Sequence, residues 1–209
     1  MKKGIITMFA FASLFIVACG GGEEKSEEVV VEEVPVESTI YYADVNASDV
    51  IWRGEVAGVY GHDGYVNLQS GMIEMAGDQI IAGEFVVDMS TFYPTDTASY
   101  GTDEGSRIID LQNHLTQEDF FASATYPTST FVVTSVEGNT VTGELTVRDK
   151  THTETFNITS MEKTENGLTM SGTLVFDRQK YDVSWVHYMK DMVLSDDIAL
   201  KINLVAATK

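Results

Sequence analysis

The side chains in this chain that could do chemistry are four histidines, one cysteine and a short charged cluster. His62, His114, His152 and His187 stand far apart, with no pair at the spacing that puts two imidazoles on one metal ion. The sequence contains neither a Gly-x-Ser-x-Gly elbow nor a Gly-rich phosphate loop. It therefore names no catalytic residue, no metal ligand set and no cofactor. Polar groups able to hold a ligand remain. His62 lies in Tyr60-Gly61-His62-Asp63-Gly64, which reads as a turn just before a strand. It either hydrogen-bonds a ligand head group at a cavity mouth or is a turn histidine satisfied by backbone. His152, sharing a strand face with Glu154, Phe156 and Ile158, reads as a strand-end residue, and His114 as a surface or capping residue of a helix. Arg178 belongs to the densest charged run, Asp177-Arg178-Gln179-Lys180-Tyr181-Asp182-Val183. Its guanidinium suits two-point contact with a phosphate or carboxylate, or a structural ion pair with Asp177, Asp182 or another acid.

Charge removes one class of partner. The 209 residues carry 32 acidic and 13 basic side chains, a net charge of -19, with no Lys/Arg cluster of the kind that displaces counterions from DNA or RNA. The single cysteine excludes a disulfide framework. Lys2 and Lys3, an apolar stretch from Gly4 to Ala18, and Ile16-Val17-Ala18-Cys19 form a secretory signal too short to span a bilayer. Its end resembles a bacterial lipobox, so residues 1–18 are expected to be removed and Cys19 to be lipidated. The remaining chain would carry 32 acidic and 11 basic side chains, a net of -21. Gly20 after the cysteine points to outer-membrane sorting under the enterobacterial rule. Residues 19–39, with seven glutamates and no apolar periodicity, read as an acidic spacer reaching roughly 70 Å at most. Val29-Val30-Val31 could pair as an edge strand, the weaker alternative.

The elements that must position these groups are strands. From residue 40 onward the pattern has period two: Val141, Gly143, Leu145 and Val147 share one face, as do Leu168, Met170, Gly172, Leu174 and Phe176, and Ile198, Leu200, Ile202, Leu204 and Ala206. Val50–Val56, Tyr65–Met75, Gln79–Met89, Thr130–Val136 and His152–Thr159 fit the same class. About eight half-buried antiparallel strands suggest a closed barrel or a sandwich. Ile108, Leu111 and Leu115 predict a helix over Arg107–Leu115, and Thr116-Gln117-Glu118-Asp119 offers the cap of a second before Phe120-Phe121. These one or two helices near 106–122 could plug or lid a barrel end. Tyr93–Ser106 reads as a loop. Gly54, Gly143 and Gly172 on apolar faces are ambiguous, marking either a cavity or a bend. Met72, Met75, Met89 and Met170 are either adaptable lining or core filler.

A series of motifs, in order along residues 41–206, resembles the YceI-like family. It comprises Val50-Ile51-Trp52-Arg53-Gly54, His62-Asp63-Gly64, Gly83-Glu84-Phe85-Val86-Val87-Asp88-Met89, Leu115-Thr116-Gln117-Glu118-Asp119-Phe120-Phe121, Tyr126-Pro127-Thr128-Ser129-Thr130-Phe131 and Gly143-Glu144-Leu145-Thr146-Val147. The resemblance implies an all-β, lipocalin-like antiparallel barrel over residues 40–209, holding a polyisoprenoid or similar long-chain lipid, in a bacterial envelope protein with no catalytic residues to transfer. The chain departs from the family pattern twice. Arg148-Asp149-Lys150 lacks the usual Gly, and Ser184-Trp185-Val186-His187 replaces an Arg and a small-residue turn, a change expected to alter the barrel mouth.

These strands carry the expected interior contacts: Trp52, Phe85, Val87, Phe131, Leu145, Val147, Phe156, Met170, Leu174, Phe176, Leu200 and Ile202, with His62 and Arg178 as polar contacts. The expected function is a non-catalytic lipid carrier or store, held to the membrane through Cys19 in the cell envelope. Its partners are a long-chain lipid, the membrane and, as a homodimer, a second copy of the chain. The alternative is a packed barrel whose acidic face and helix bind another envelope protein. A solid interior and an exposed apolar patch near Phe120 and Phe121 would favour it. An enzyme would require converging polar groups inside the barrel, and His62 clustered with acids of shifted pKa would favour it.

Overall fold

The computed structural model describes residues 37–56, 59–186 and 193–209. The signal, Cys19, most of the acidic spacer including Val29–Val31, and His187 lie outside the described residues.

Nine strands run β1 (Ser38–Ala43), β2 (Asp49–Val56), β3 (Tyr60–Ala76), β4 (Gln79–Pro94), β5 (Thr128–Glu137), β6 (Thr140–Val147), β7 (Lys150–Lys163), β8 (Gly167–Asp177) and β9 (Asp197–Ala207). Every pairing is antiparallel, and β3 pairs with both β2 and β4, which closes β2 to β9 into an eight-stranded barrel. Closure leaves no long edge to template aggregation. The first described strand, β1, starts at Ser38. β1 and β2 act as one interrupted strand: Tyr42 pairs with Met72 of β3 and Ala207 of β9, and Val50 resumes opposite Val66 and Ile202.

Alternation of side chains across the pleat gives each strand its inner face. In β6 and β8 buried residues recur at every second position, from Val141 to Val147 and from Leu168 to Phe176. Register shifts along β3 and β4, between Tyr65 and Asn67 and between Leu68 and Ser70, bend these two long strands around the barrel.

One α-helix, α1 (Ile108–Thr116), interrupts the sheet between β4 and β5. Its start is fixed by Asp110, whose carboxylate accepts from the backbone N–H of Arg107 (3.0 Å) and Gly105 (2.9 Å). Of the one or two helices expected near residues 106–122, one forms, and none follows Thr116. Thr116 is the last residue of α1, and its hydroxyl donates back to the carbonyls of Asn113 (2.9 Å) and Gln112 (3.3 Å), so it caps nothing beyond. The chain instead turns, and Ala122 takes a left-handed conformation with φ 49°. Phe120 and Phe121 are tucked inward at 5% exposure each, so these two side chains do not themselves form the exposed apolar patch that would favour the packed-scaffold alternative.

In the β6–β7 turn Asp149 stands where the resemblance places Gly, and the left-handed residue is its neighbour Arg148, with φ 56°, which donates through Nη1 to the carbonyls of Asp182 (2.6 Å) and Phe120 (3.3 Å). A side-chain hydrogen bond to two neighbouring segments offsets the cost of a left-handed non-glycine residue.

Candidate functional site

The barrel interior is not solid. It encloses a cavity of about 720 Å³ whose wall is mostly aliphatic and aromatic. That volume falls in the range of roughly 300–1,000 Å³ typical of small-ligand sites. An open interior does not favour the packed-scaffold alternative.

Four aromatic residues show how the lumen stays open. The rings of Trp52, Phe85, Phe131 and Phe156 each lie over a glycine on the neighbouring strand. A Cβ added at Gly64 would come within 2.4 Å of Trp52 Cζ2, at Gly71 within 2.7 Å of Phe85 Cδ1, at Gly143 within 2.5 Å of Phe131 Cζ, and at Gly172 within 2.3 Å of Phe156 Cζ. The glycines are seats for the rings. A ring lying flat on the sheet covers backbone that glycine leaves bare and does not project across the lumen. Gly143 and Gly172 thus favour a cavity, though through the rings they admit and not through volume they omit. At Gly54 a Cβ would meet only Ile198 Cδ1 at 3.6 Å, ordinary contact. Trp52 keeps its indole N–H satisfied by the carbonyl of Tyr65 at 3.1 Å.

Val87, Leu145, Val147, Met170, Leu174, Phe176, Leu200 and Ile202 line the same cavity, together with those four aromatics and His62. Met89 joins Met170 in the lining, whereas Met75 is buried in the core away from it and Met72 is also off the cavity wall. Helix α1 closes one end, presenting Leu111, His114 and Leu115 to the cavity, and Phe120 and Phe121 follow. Phe121 stacks on Phe92 at 5.0 Å, and Phe92 meets Trp52 edge-on at 6.0 Å, so the end closure and the barrel wall share one aromatic cluster.

Arg178 is not on the cavity wall. It is 2% exposed, and its guanidinium is spent on structure. Nε donates to the carbonyl of Ser195 (2.8 Å), Nη1 to those of Val183 (2.6 Å) and Trp185 (3.2 Å), and Nη2 to that of Leu194 (3.3 Å) and to the Asp196 carboxylate (3.1 Å). Five bonds leave the fork no donor for a ligand. Burial lowers its pKa from the ordinary arginine value, with Asp196 and Asp177 opposing that shift. Its ion-pair partner is Asp196.

His62 lies within β3, opposite Gly54, and not in a turn as the glycines around it suggest. Its Nδ1 is 2.8 Å from Asp96 Oδ2 and 2.9 Å from the Tyr100 hydroxyl, which donates to Asp96 Oδ1 at 2.9 Å. The two rings stack at 5.4 Å, and both line the cavity. Burial together with Asp96 raises the Tyr100 pKa well above the ordinary phenol value, so this hydroxyl stays protonated. Tyr60, Gly105, Ser106 and Arg107, all exposed, lie nearby along the lining and form the mouth with His62 and Tyr100. Ser48 and Asp49, at the break between β1 and β2, are a second place where the lining reaches exposed backbone.

His114 is the functional candidate that sequence reasoning missed. It faces the cavity, edge-on to Trp185 at 4.7 Å and to Phe120 at 5.3 Å, and its Nε2 is buried with no hydrogen-bond partner. Burial lowers its pKa, with Asp119 opposing, so the imidazole is neutral at pH 7. The signal was present: His114 stands three residues after Leu111, on the face of α1 read as apolar. Trp185, in the segment that departs from the family pattern, also lines the cavity, so this change does reach the binding space. His152 bonds the carbonyl of Lys180 at 2.9 Å, as a strand-end residue should. Among the described residues no group of three His, Cys, Asp or Glu side chains could hold a metal ion.

Comparison with known proteins agrees with this architecture. Among curated proteins, a UPF0312 protein of Staphylococcus epidermidis is 33% identical over 84 residues, which are 36% of this chain and 48% of that protein. One from Staphylococcus aureus is 30% identical over 119 residues, 52% of this chain and 66% of that protein. The match thus spans only about half to two thirds of those relatives. BcnA of Burkholderia cenocepacia superposes with a TM-score of 0.56 at 21% identity, over 79% of this chain and 99% of that one. A polyisoprenoid binding domain from Saccharophagus degradans, implicated in plant cell wall breakdown, gives a TM-score of 0.56 at 15% identity, over 81% and 98%. These structures share the fold. The YceI-like domain model matches residues 41–206, from the middle of β1 almost to the end of β9, and the chain belongs to that family.

Proposed function

We propose that this protein holds one long-chain apolar lipid, a polyisoprenoid or a molecule like it, inside the barrel, as a non-catalytic carrier or store. The observation that carries this reading is the 720 Å³ cavity, walled by aliphatic and aromatic side chains and closed at one end by α1. Each CH₂ moved from water to such a wall contributes about 0.8 kcal/mol, so a prenyl or acyl chain gains affinity along its whole length. The polyisoprenoid-binding relative from Saccharophagus degradans, with the same fold, supports the ligand class. The lipobox-like sequence ending at Cys19 supports an envelope lipoprotein, with the acidic spacer between the anchor and the barrel. Mass spectrometry of organic extracts from purified protein is the test. Stoichiometric long-chain lipid is expected, and protein that is lipid-free across preparations and takes up none from vesicles would sink the reading.

A further inference from the structure

The polar groups around the mouth have an uneven chemistry. Arg107 is the one cationic side chain among the described lining residues, and it is already held by Asp110. Its Nε and Nη2 meet the two carboxylate oxygens at 2.8 and 2.7 Å. Arg53, just outside, is likewise engaged by Asp63 (2.7 Å) and Glu55 (2.6 Å). The carboxylates that hold these two arginines, Asp110 and Glu55, are themselves in the lining, and Asp96 stands behind His62. A phosphorylated head group entering here would lose water without gaining an unpaired cation, which is strongly unfavourable for a doubly charged group.

The same surroundings suit an uncharged hydrogen-bonding head. His62 Nδ1 is engaged by Asp96 and by the Tyr100 hydroxyl, so Nε2 is the ring nitrogen outside that cluster. His114 contributes the buried, unpartnered Nε2 on the opposite element, α1. A buried polar atom without a partner costs free energy that a ligand group recovers on binding.

We propose that the barrel mouth selects lipids with a neutral head bearing a hydroxyl over their phosphorylated counterparts, with His114 Nε2 as the head-group contact and His62 at the rim. The inference rests on the lipid-binding reading above and narrows its ligand class. A hydroxyl can satisfy an imidazole nitrogen in either tautomer, whereas a phosphate oxygen meets acceptors and carboxylates.

The test uses the full chain, stripped of bound lipid, and two probes with one hydrocarbon chain, geranylgeraniol and geranylgeranyl diphosphate. Quenching of Trp52 and Trp185, which both line the cavity, reports binding. The alcohol is expected to bind at least about tenfold more tightly, the worth of roughly one hydrogen bond plus the unpaired charge avoided. Equal or tighter binding of the diphosphate overturns the selectivity. Failure of both probes overturns the lipid-binding reading itself, and this inference with it. His114→Phe, which keeps the ring contacts with Trp185 and Phe120, should weaken the alcohol by about five- to tenfold relative to the hydrocarbon phytane, whose own affinity reports the change in packing. Equal weakening of alcohol and phytane would make His114 a packing residue and overturn its assignment.

Discussion

The Phe156 ring occupies the space a Gly172 side chain would need, its Cζ only 2.3 Å from where a Cβ would sit. Phe156 is two positions from Ile158, the register partner of Gly172, so the ring reaches diagonally across β7 and β8. In Gly172→Ala the Cβ would meet that ring and also the Asn157 carbonyl oxygen at 2.4 Å, so the ring must leave the wall and the β7–β8 backbone must shift. The expected cost is about 1–3 kcal/mol of stability, together with a smaller cavity and reduced lipid loading. Gly54→Ala is the matched control, since its Cβ would meet only Ile198 at 3.6 Å, and it should change neither property by much. Thermal melting and lipid-to-protein ratios of the two variants check this. A Gly172→Ala protein with full lipid load and wild-type Tm would refute the account of the open lumen.

Arg178 joins both ends of the 183–196 segment, because it binds the carbonyls of Val183 and Trp185 on one side and of Leu194 and Ser195 on the other. Arg178→Lys keeps a charge but cannot fork, so several of these buried carbonyls lose their donor. Charge-assisted bonds contribute about 1.5–3 kcal/mol each and are not additive, so a loss of about 3 kcal/mol or more is expected. Hydrogen exchange should accelerate at residues 183–186 and 194–196 ahead of the barrel strands. Uniform protection in the variant would show that the segment is held by something else.

How much of this was legible in the sequence depends on whether a signal is local. The alternation in Thr140–Val147 and Gly167–Asp177 follows from the pleat alone, and so did the inward set from Trp52 to Ile202. β1 was not legible, because Ser38–Ala43 has its place only as the first half of an interrupted strand between β3 and β9, a matter of register. The Asp96–Tyr100–His62 cluster spans 38 residues and a loop without periodicity, so nothing local announced it. Arg178 was readable as an ion-pair residue, but its backbone acceptors lie on segments that only the fold brings together. Thr116 misled because a hydroxyl before an acid signals a helix start, yet the same hydroxyl can bond back to the helix it ends.

Acid should loosen the cavity end of the molecule through His114. Its folded pKa lies below the ordinary value of 6.5, so the folded state binds fewer protons than the unfolded chain in the window between the two. Stability contributed by the neutral imidazole is complete above pH 6.5 and is lost as pH falls through that window. Asp110 and Asp149, whose pKa values are depressed by Arg107 and Lys150, remain charged there and lose their contribution only below their ordinary value of 3.8. Denaturant titrations at pH 7.5 and pH 5 should therefore show a smaller pH effect in His114→Phe than in the wild type. Identical pH dependence in both proteins would contradict the buried neutral imidazole.

Anchor and cargo should be separable. Among the described residues the first strand starts at Ser38 and the cavity lining at Ser48, well apart in sequence from the cysteine proposed as the anchor. A single acyl chain gives only marginal membrane residence, whereas the several chains expected at a lipidated Cys19 make attachment effectively permanent. Cys19→Ser in a bacterial host should accordingly move the protein from the membrane fraction to the soluble fraction. The same variant should keep a wild-type Tm and the same lipid in its organic extract. A Cys19→Ser protein that stays with membranes would remove the anchor from the proposal. One that becomes soluble but lipid-free would mean that the barrel is loaded only at the membrane surface, which makes the tether part of the loading step.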